Sequence, residues 1–238
     1  MVGFGPGDAG NMTARCRQAL EAADVIVGYM GYTKLLRPLL PHKAFFETGM
    51  TQEVDRCRLA VERAAGDENV CVISSGDAGV YGMAGLIFEL AQDFPGLEVE
   101  VVPGVTAALS GAALLGAPLG HDFAVISLSD LLTPWELIAK RLHAAAAGDF
   151  ALALYNPGSH TRAGHLGEAC AILLNILPES RLCGIAKSIG RKGESFRLLT
   201  LGELQNVQAE MDETVFIGSS QTLSLGGRMV TPRGYRHG

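Results

Sequence analysis

The sequence predicts an α/β fold of two domains, each built on a mostly parallel or mixed sheet. Three observations predict it. Strand-like runs alternate with helical periodicity along almost the whole chain. Glycine-rich segments follow four of those runs. Of the 238 residues, 48% are hydrophobic and 18% charged, enough apolar material for one large core or two small ones. The thirty glycines, set against 6% aromatics, indicate a backbone that turns tightly or approaches something closely at many places.

The first series opens with a helix marked by Cys16, Ala19, Leu20 and Ala23, a strand at 25–29, and a helix marked by Val54, Cys57, Val61 and Ala64. A strand at 70–74 follows, then a helix carrying Met83, Leu86, Ile87 and Leu90, then an alternating strand at 97–102. The second series begins with a strand at 123–128. Thr133-Pro134-Trp135-Glu136 reads as a capping box with proline at the first helical position. A strand at 150–155 precedes the amphipathic stripe Leu166, Ala169, Cys170, Leu173, Leu174 and Leu177. Strands at 182–189, 196–200 and 214–218 complete the series, with a short helix capped by Thr200 and Glu203. The expected domains are 1–115 and 116–226, with 227–238 as a loosely held tail.

A formal charge of −6 without a long basic run argues against nucleic acid as a partner. Five cysteines and no C-x-x-C pair fit a reducing compartment rather than a disulfide framework or a structural zinc site. His160 and His165, five apart, do not share a helix face, and no protein-bound metal is expected. Residues 101–120 carry no charge, but Pro103, Pro118 and several glycines break them into loop, buried helix and loop, so no membrane span is expected. With no charged-then-apolar leader at Met1, the reading is cytoplasmic.

The segment Gly3-Phe4-Gly5-Pro6-Gly7-Asp8 leads from a strand into a helix, as a dinucleotide loop does. It is a poor phosphate cradle: Asp8 stands where the third glycine belongs, its carboxylate repels phosphate, and Pro6 has no backbone N–H to offer. The second loop, 75–82, also follows a strand and opens a helix, at the edge where open α/β sheets bind ligands. A sulfonium or amino cation would be attracted to Asp8 and Asp77, although Asp77 also reads as an ordinary helix cap. In the third loop, 103–108, Thr106 can cap the helix or give its hydroxyl to a ligand carboxylate. The fourth, Tyr155-Asn156-Pro157-Gly158, ends a strand of the second series. Four strand-end loops of this kind point to one composite cleft.

Taken together the loops resemble the tetrapyrrole (corrin/porphyrin) methyltransferase family, with its V-G-x-G-P-G-D start, its G-D-P-x-x-Y-G-type loop and its P-G-V-T-A segment in this order, from Val2 to about Ser220. Val27-Gly28-Tyr29, the long motif from Gly120 to Trp135, the run from Tyr155 to Arg162 and Gly190-Arg191-Lys192-Gly193-Glu194 are similar to its precorrin-3B C17-methyltransferase branch. Two departures loosen the backbone: Ala78 and Lys192 stand where that pattern has proline.

The resemblance implies two α/β domains with S-adenosylmethionine in the cleft between them, leaving as S-adenosylhomocysteine, and a homodimer. It implies methylation at C17 of a precorrin-3B or cobalt-factor III macrocycle, with ring contraction to precorrin-4 or its cobalt form. Cofactor contacts would fall on Pro6, Gly76, Asp77, Ala78, Val80 and Tyr81, on Thr106 and Ala107, and on Tyr155, Asn156 and Ala186. Other readings stay open: another precorrin carbon, or a non-catalytic tetrapyrrole- or cofactor-binding module.

Methyl transfer from a sulfonium needs alignment and a dry site, whereas ring contraction also needs a poised acid or base. The candidates are Asp8, Tyr29, Asp122 and Asp130, with Asp8 also facing the substrate beside His121, Ser127 and Ser129. The acetates and propionates of the macrocycle call for local cations, for which Arg162, Lys187 and Arg191 are the expected donors, together with Lys34 and Arg37.

Overall fold

The structure is a computed structural model that describes residues 1–159 and 164–235. The chain divides into two compact units, Met1–Ala107 and Ala108–Gly238.

The first unit is a four-stranded parallel sheet in the order β1-β4-β2-β3, with β1 at Val2–Gly3, β2 at Val25–Tyr29, β3 at Ala44–Thr48 and β4 at Val70–Ser74. Parallel neighbours require crossovers, and these contain α1 (Ala14–Ala22), α2 (Met30–Leu36) and α3 (Glu53–Ala64), with α4 (Ala84–Ala91) after β4. Alternation along the strands divides the core into two layers. Ile26, Cys71 and Ile73 join Phe4, Cys16, Leu20 and Leu36 on one face, while Val27 and Val72 join Cys57, Val61, Met83 and Ile87 on the other.

The second unit has a mixed sheet in the order β6-β7-β10-β8-β9 and a small sheet β11-β12-β5. The larger sheet contains β6 (Phe123–Ser127), β7 (Ala151–Tyr155), β8 (Leu182–Lys187), β9 (Ser195–Thr200) and β10 (Glu213–Ile217). Its helices are α5 (Ala107–Leu115, whose first residue belongs to the first unit), α6 (Trp135–Ala147), α7 (His165–Leu174) and α8 (Leu201–Leu204). Leu142, Leu152, Leu154, Leu166, Leu173 and Val215 lie in one fully buried cluster. The predicted stripe of α7 is thus its core face, and Thr200 and Glu203 form the predicted capping box.

Three expectations fail. The run 97–102 alternates correctly but is not a strand, because only Val102 finds a partner, in a parallel bridge to Val2. The Thr133 capping box is absent: Pro134 is itself the N-cap of α6, and no side chain caps that helix. The expected loose tail is tied down. β11 (Leu223–Leu225) and β12 (Arg228–Val230) form a hairpin that pairs with β5 (Gly116–Ala117), and Met229 is fully buried. Beyond it, the Thr231 hydroxyl donates to the Pro118 carbonyl at 2.6 Å.

Candidate active-site residues

All strands of the first unit run the same way, so the segments that leave their carboxyl ends emerge along one edge, where open α/β sheets bind ligands. Three glycine loops meet there. Gly5 and Gly76 exchange backbone hydrogen bonds at 3.1 and 2.8 Å. A Cβ on Gly104 would lie 2.1 Å from the Gly76 carbonyl oxygen and 2.5 Å from that of Gly3, and one on Gly3 would lie 2.7 Å from the same Gly76 oxygen. Only bare backbone lets the loops approach this closely.

Asp77 pins the arrangement, its carboxylate accepting the N–H of Gly79 at 2.8 Å and of Gly104 at 3.0 Å. It does not cap α4, which starts at Ala84 behind Met83. Beyond it Ala78 is fully buried, whereas Val80 is half-buried and Tyr81 projects at φ +53° with 56% of its surface exposed. Thr106 and Ala107 follow Gly104 into the start of α5.

Asp8 turns back on its own loop. Its carboxylate caps the turn Ala9–Asn11, accepting the Asn11 N–H at 2.9 Å and the Asn11 side-chain amide at 2.5 Å. Desolvation pushes its pKa up, but these hydrogen bonds outweigh it and hold the group below the usual carboxylate range. Pro6 lies in the same loop and Tyr29 ends β2, its ring edge-on to Tyr32 at 5.3 Å. A residue not singled out from sequence braces this edge: buried Arg56 donates to the Thr48 hydroxyl at 2.7 Å and the Gly49 carbonyl at 2.8 Å, and contacts the Met83 sulfur at 3.2 Å.

In the second unit β10 is antiparallel to both β7 and β8, so β8 runs in the direction of β6 and β7. The segments after Ser127, Tyr155 and Lys187 therefore share one edge. Asn156, at φ +53°, donates its side-chain amide to the Ser127 hydroxyl at 2.9 Å, and the Ser129 N–H reaches the same oxygen at 3.2 Å. The Tyr155 hydroxyl accepts the Ala108 N–H at 2.6 Å. Ala186 is buried near the end of β8.

Lys187 is not an uncommitted cation: it pairs with Glu210 at 2.8 Å, and that hydrogen bond raises its pKa against desolvation. Arg191 lies four residues on, in the following loop. His165, the first residue of α7, faces Asp130. Only the distance in space marks it, since the two stand thirty-five residues apart.

Asp122 and His121 do not join this group. They precede β6, and five residues at about 3.3 Å each put them roughly 17 Å from its carboxyl end. His121 lies within 2.9 Å of the Pro232 carbonyl, and the Asp122 carbonyl accepts the Ala151 N–H. Arg162 lies outside the described residues, as do His160 and Arg236. Among the described residues no group of His, Cys, Asp and Glu could hold a metal, and no helix is long and apolar enough to cross a membrane.

Residues 1–205 match the family model described as Tetrapyrrole (Corrin/Porphyrin) Methylases. The chain is 46% identical over 236 residues to the probable cobalt-factor III C(17)-methyltransferase of Salmonella typhimurium, across 99% of this chain and 98% of that one. It is 42% identical over 226 residues to the precorrin-3B C(17)-methyltransferase of a Sinorhizobium species, across 93% and 89%. The crystal structure of the methyltransferase CobJ superimposes with a TM-score of 0.90 at 37% identity, over 97% and 98% of the two chains.

Proposed function

Because the chain belongs to the tetrapyrrole (corrin/porphyrin) methylase family, we propose that it is an S-adenosylmethionine-dependent methyltransferase that methylates C17 of a precorrin-3-type macrocycle, with ring contraction, in cobalamin biosynthesis. One observation carries this reading. Two relatives named for C17 methylation, on cobalt-factor III and on precorrin-3B, each align with nearly the whole of this chain.

The residues present fit the cofactor. At the junction of Gly3, Gly76 and Gly104 three strand-end loops that would hold it meet through bare backbone. The carboxylate of Asp77 lies at this junction, which suits a sulfonium rather than a phosphate. When bound, S-adenosylmethionine supplies an electrophilic methyl group. In the first unit Pro6, Gly76, Asp77, Ala78, Val80, Tyr81, Thr106 and Ala107 would hold it. In the second, Tyr155, Asn156 and Ala186 would do so.

The work left to the chain is to align, to exclude water and to move a proton. Asp77 aligns, because its two backbone hydrogen bonds fix loops 76–82 and 103–106 together. Exposed Tyr81 is placed to cover a ligand seated on these loops. Ser127 and Ser129 offer hydroxyls to the macrocycle, and Asp130 an acid or base. Arg191, in the loop after β8, and Lys187, at the end of β8 and paired with Glu210, are the cations we assign to its carboxylates.

We further read the protein as a cytoplasmic homodimer. Exposed Phe46 on edge strand β3, with Met50 and Val54 beyond it, supports self-association.

The test is incubation with S-adenosylmethionine and either the metal-free or the cobalt-bearing macrocycle, with product masses and spectra recorded. A methylated, contracted product from one of them is expected. No methylated product from either would sink the reading.

A further inference from the structure

We infer that His165 is the positioning residue of the ring-contraction step: it holds the loop that carries Asp130 and sets an imidazole nitrogen beside that carboxylate. The inference rests on the functional reading above. It comes from a clamp formed by three segments of the second unit.

The imidazole Nδ1 lies 3.0 Å from the Leu128 carbonyl oxygen, directly after β6. Its ring sits 4.8 Å from that of Trp135, the first residue of α6, tilted by 34°. Its Nε2 lies 3.8 Å from Asp130 Oδ2. The histidine thus grips both ends of the loop 129–134 and reaches the carboxylate inside it.

The carbonyl decides the tautomer. A carbonyl oxygen only accepts, so Nδ1 must carry a proton and donate it, which leaves Nε2 turned towards Asp130. The acceptor is itself fixed, because Leu128 is fully buried and its N–H donates to the Tyr155 carbonyl at 2.9 Å.

Exposure divides the labour. The Asp130 side chain is 41% exposed and that of His165 only 16%. The carboxylate therefore meets the ligand and the imidazole backs it. Asp130 gives a proton to, or takes one from, the macrocycle, while the imidazole keeps the loop that carries the carboxylate in place. The same edge carries Ser127 and Ser129, joined by the hydrogen bonds already described.

The decisive variant is His165→Asn, whose side-chain N–H can replace Nδ1 on the Leu128 carbonyl but which has nothing at Nε2. The expected result is a fall in kcat of about 100-fold, with KM and the affinity for S-adenosylhomocysteine unchanged. His165→Phe, which loses the anchor as well, should also lower thermal stability. Apart from turnover, two-dimensional 15N spectra of the unsubstituted protein should show His165 protonated at Nδ1. Wild-type kcat in His165→Asn, or a neutral Nε2–H tautomer in those spectra, would overturn the inference while leaving C17 methylation standing. Inactivity of the unsubstituted protein on both macrocycles would be a failure of the functional reading instead, and would take this role with it.

Discussion

The Tyr155 hydroxyl accepts the backbone N–H of Ala108 at 2.6 Å, so the side chain that ends β7 satisfies a donor at the amino end of α5. The first turn of a helix has no acceptor of its own for such groups. Removing the hydroxyl alone, as Tyr155→Phe, should lower unfolding stability by about 1 kcal/mol, measured by chemical denaturation. It should also weaken binding of S-adenosylhomocysteine, measured by calorimetry. Wild-type affinity would separate the tyrosine from the cofactor.

Two glycines predict opposite outcomes for one substitution. Gly104→Ala drives a methyl group to 2.1 Å from a backbone oxygen that no rotamer can move aside. A loss of roughly 1–3 kcal/mol is expected, together with loss of cofactor binding. Gly85 lies inside α4 with nothing within 4 Å of its would-be Cβ. Gly85→Ala should raise stability by up to about 1 kcal/mol, a gain that thermal melts would detect.

The turn between α6 and β7 supplies a pH prediction. Asp149 accepts the Ser220 N–H at 2.8 Å and its hydroxyl at 2.5 Å, with Arg181 at 3.2 Å. Desolvation raises its pKa, but the Ser220 bonds and Arg181 prevail and the net shift is downward from 3.8. A depressed folded-state pKa contributes stability above the unfolded value, and that contribution is lost as pH falls through the folded one. Asp149→Asn should therefore be less stable than wild type at neutral pH. The gap should close as pH falls below 3.8 in denaturation series run at several pH values.

Asp122 sits at the far end of β6 from Ser127. Asp122→Asn should leave kcat/KM unchanged, whereas Asp130→Asn should lower kcat. Steady-state kinetics on the two variants will show whether the placement has been read correctly.

Leu173 lies on the core face of α7 and is fully buried. Leu173→Ala should cost about 2–5 kcal/mol, with spectra of the remaining folded fraction unchanged.

The features legible in sequence were those set by local contacts. The Thr200–Glu203 box satisfies its own backbone within four residues, and β2 and β4 are buried apolar runs bounded by turns. Apart from the local Thr133 box, the failures involve partners distant in sequence. Alternation at 97–102 shows a strand's periodicity but cannot reveal that β1 offers a partner only near Val102. β3 was missed because it is an edge strand with mostly exposed or half-exposed residues, so no apolar run announces it. The closing hairpin carried a readable signal, the two-residue Gly226-Gly227 turn between short strands. For the site, motif order singled out the loops, but only the fold showed Asp122 at the opposite end of β6 from Ser127 and His165 beside Asp130.

The meeting of Gly3, Gly76 and Gly104 constrains how this sequence can drift. Gly3 and Gly104 are closed to a side chain by the backbone of the other loops and Gly76 by its left-handed φ of +66°, so no one of them can change first and wait for the others to compensate. A lineage that left this arrangement would have to rebuild three separate stretches of chain at once. The trio should therefore be inherited as a block, even where the surrounding residues turn over freely.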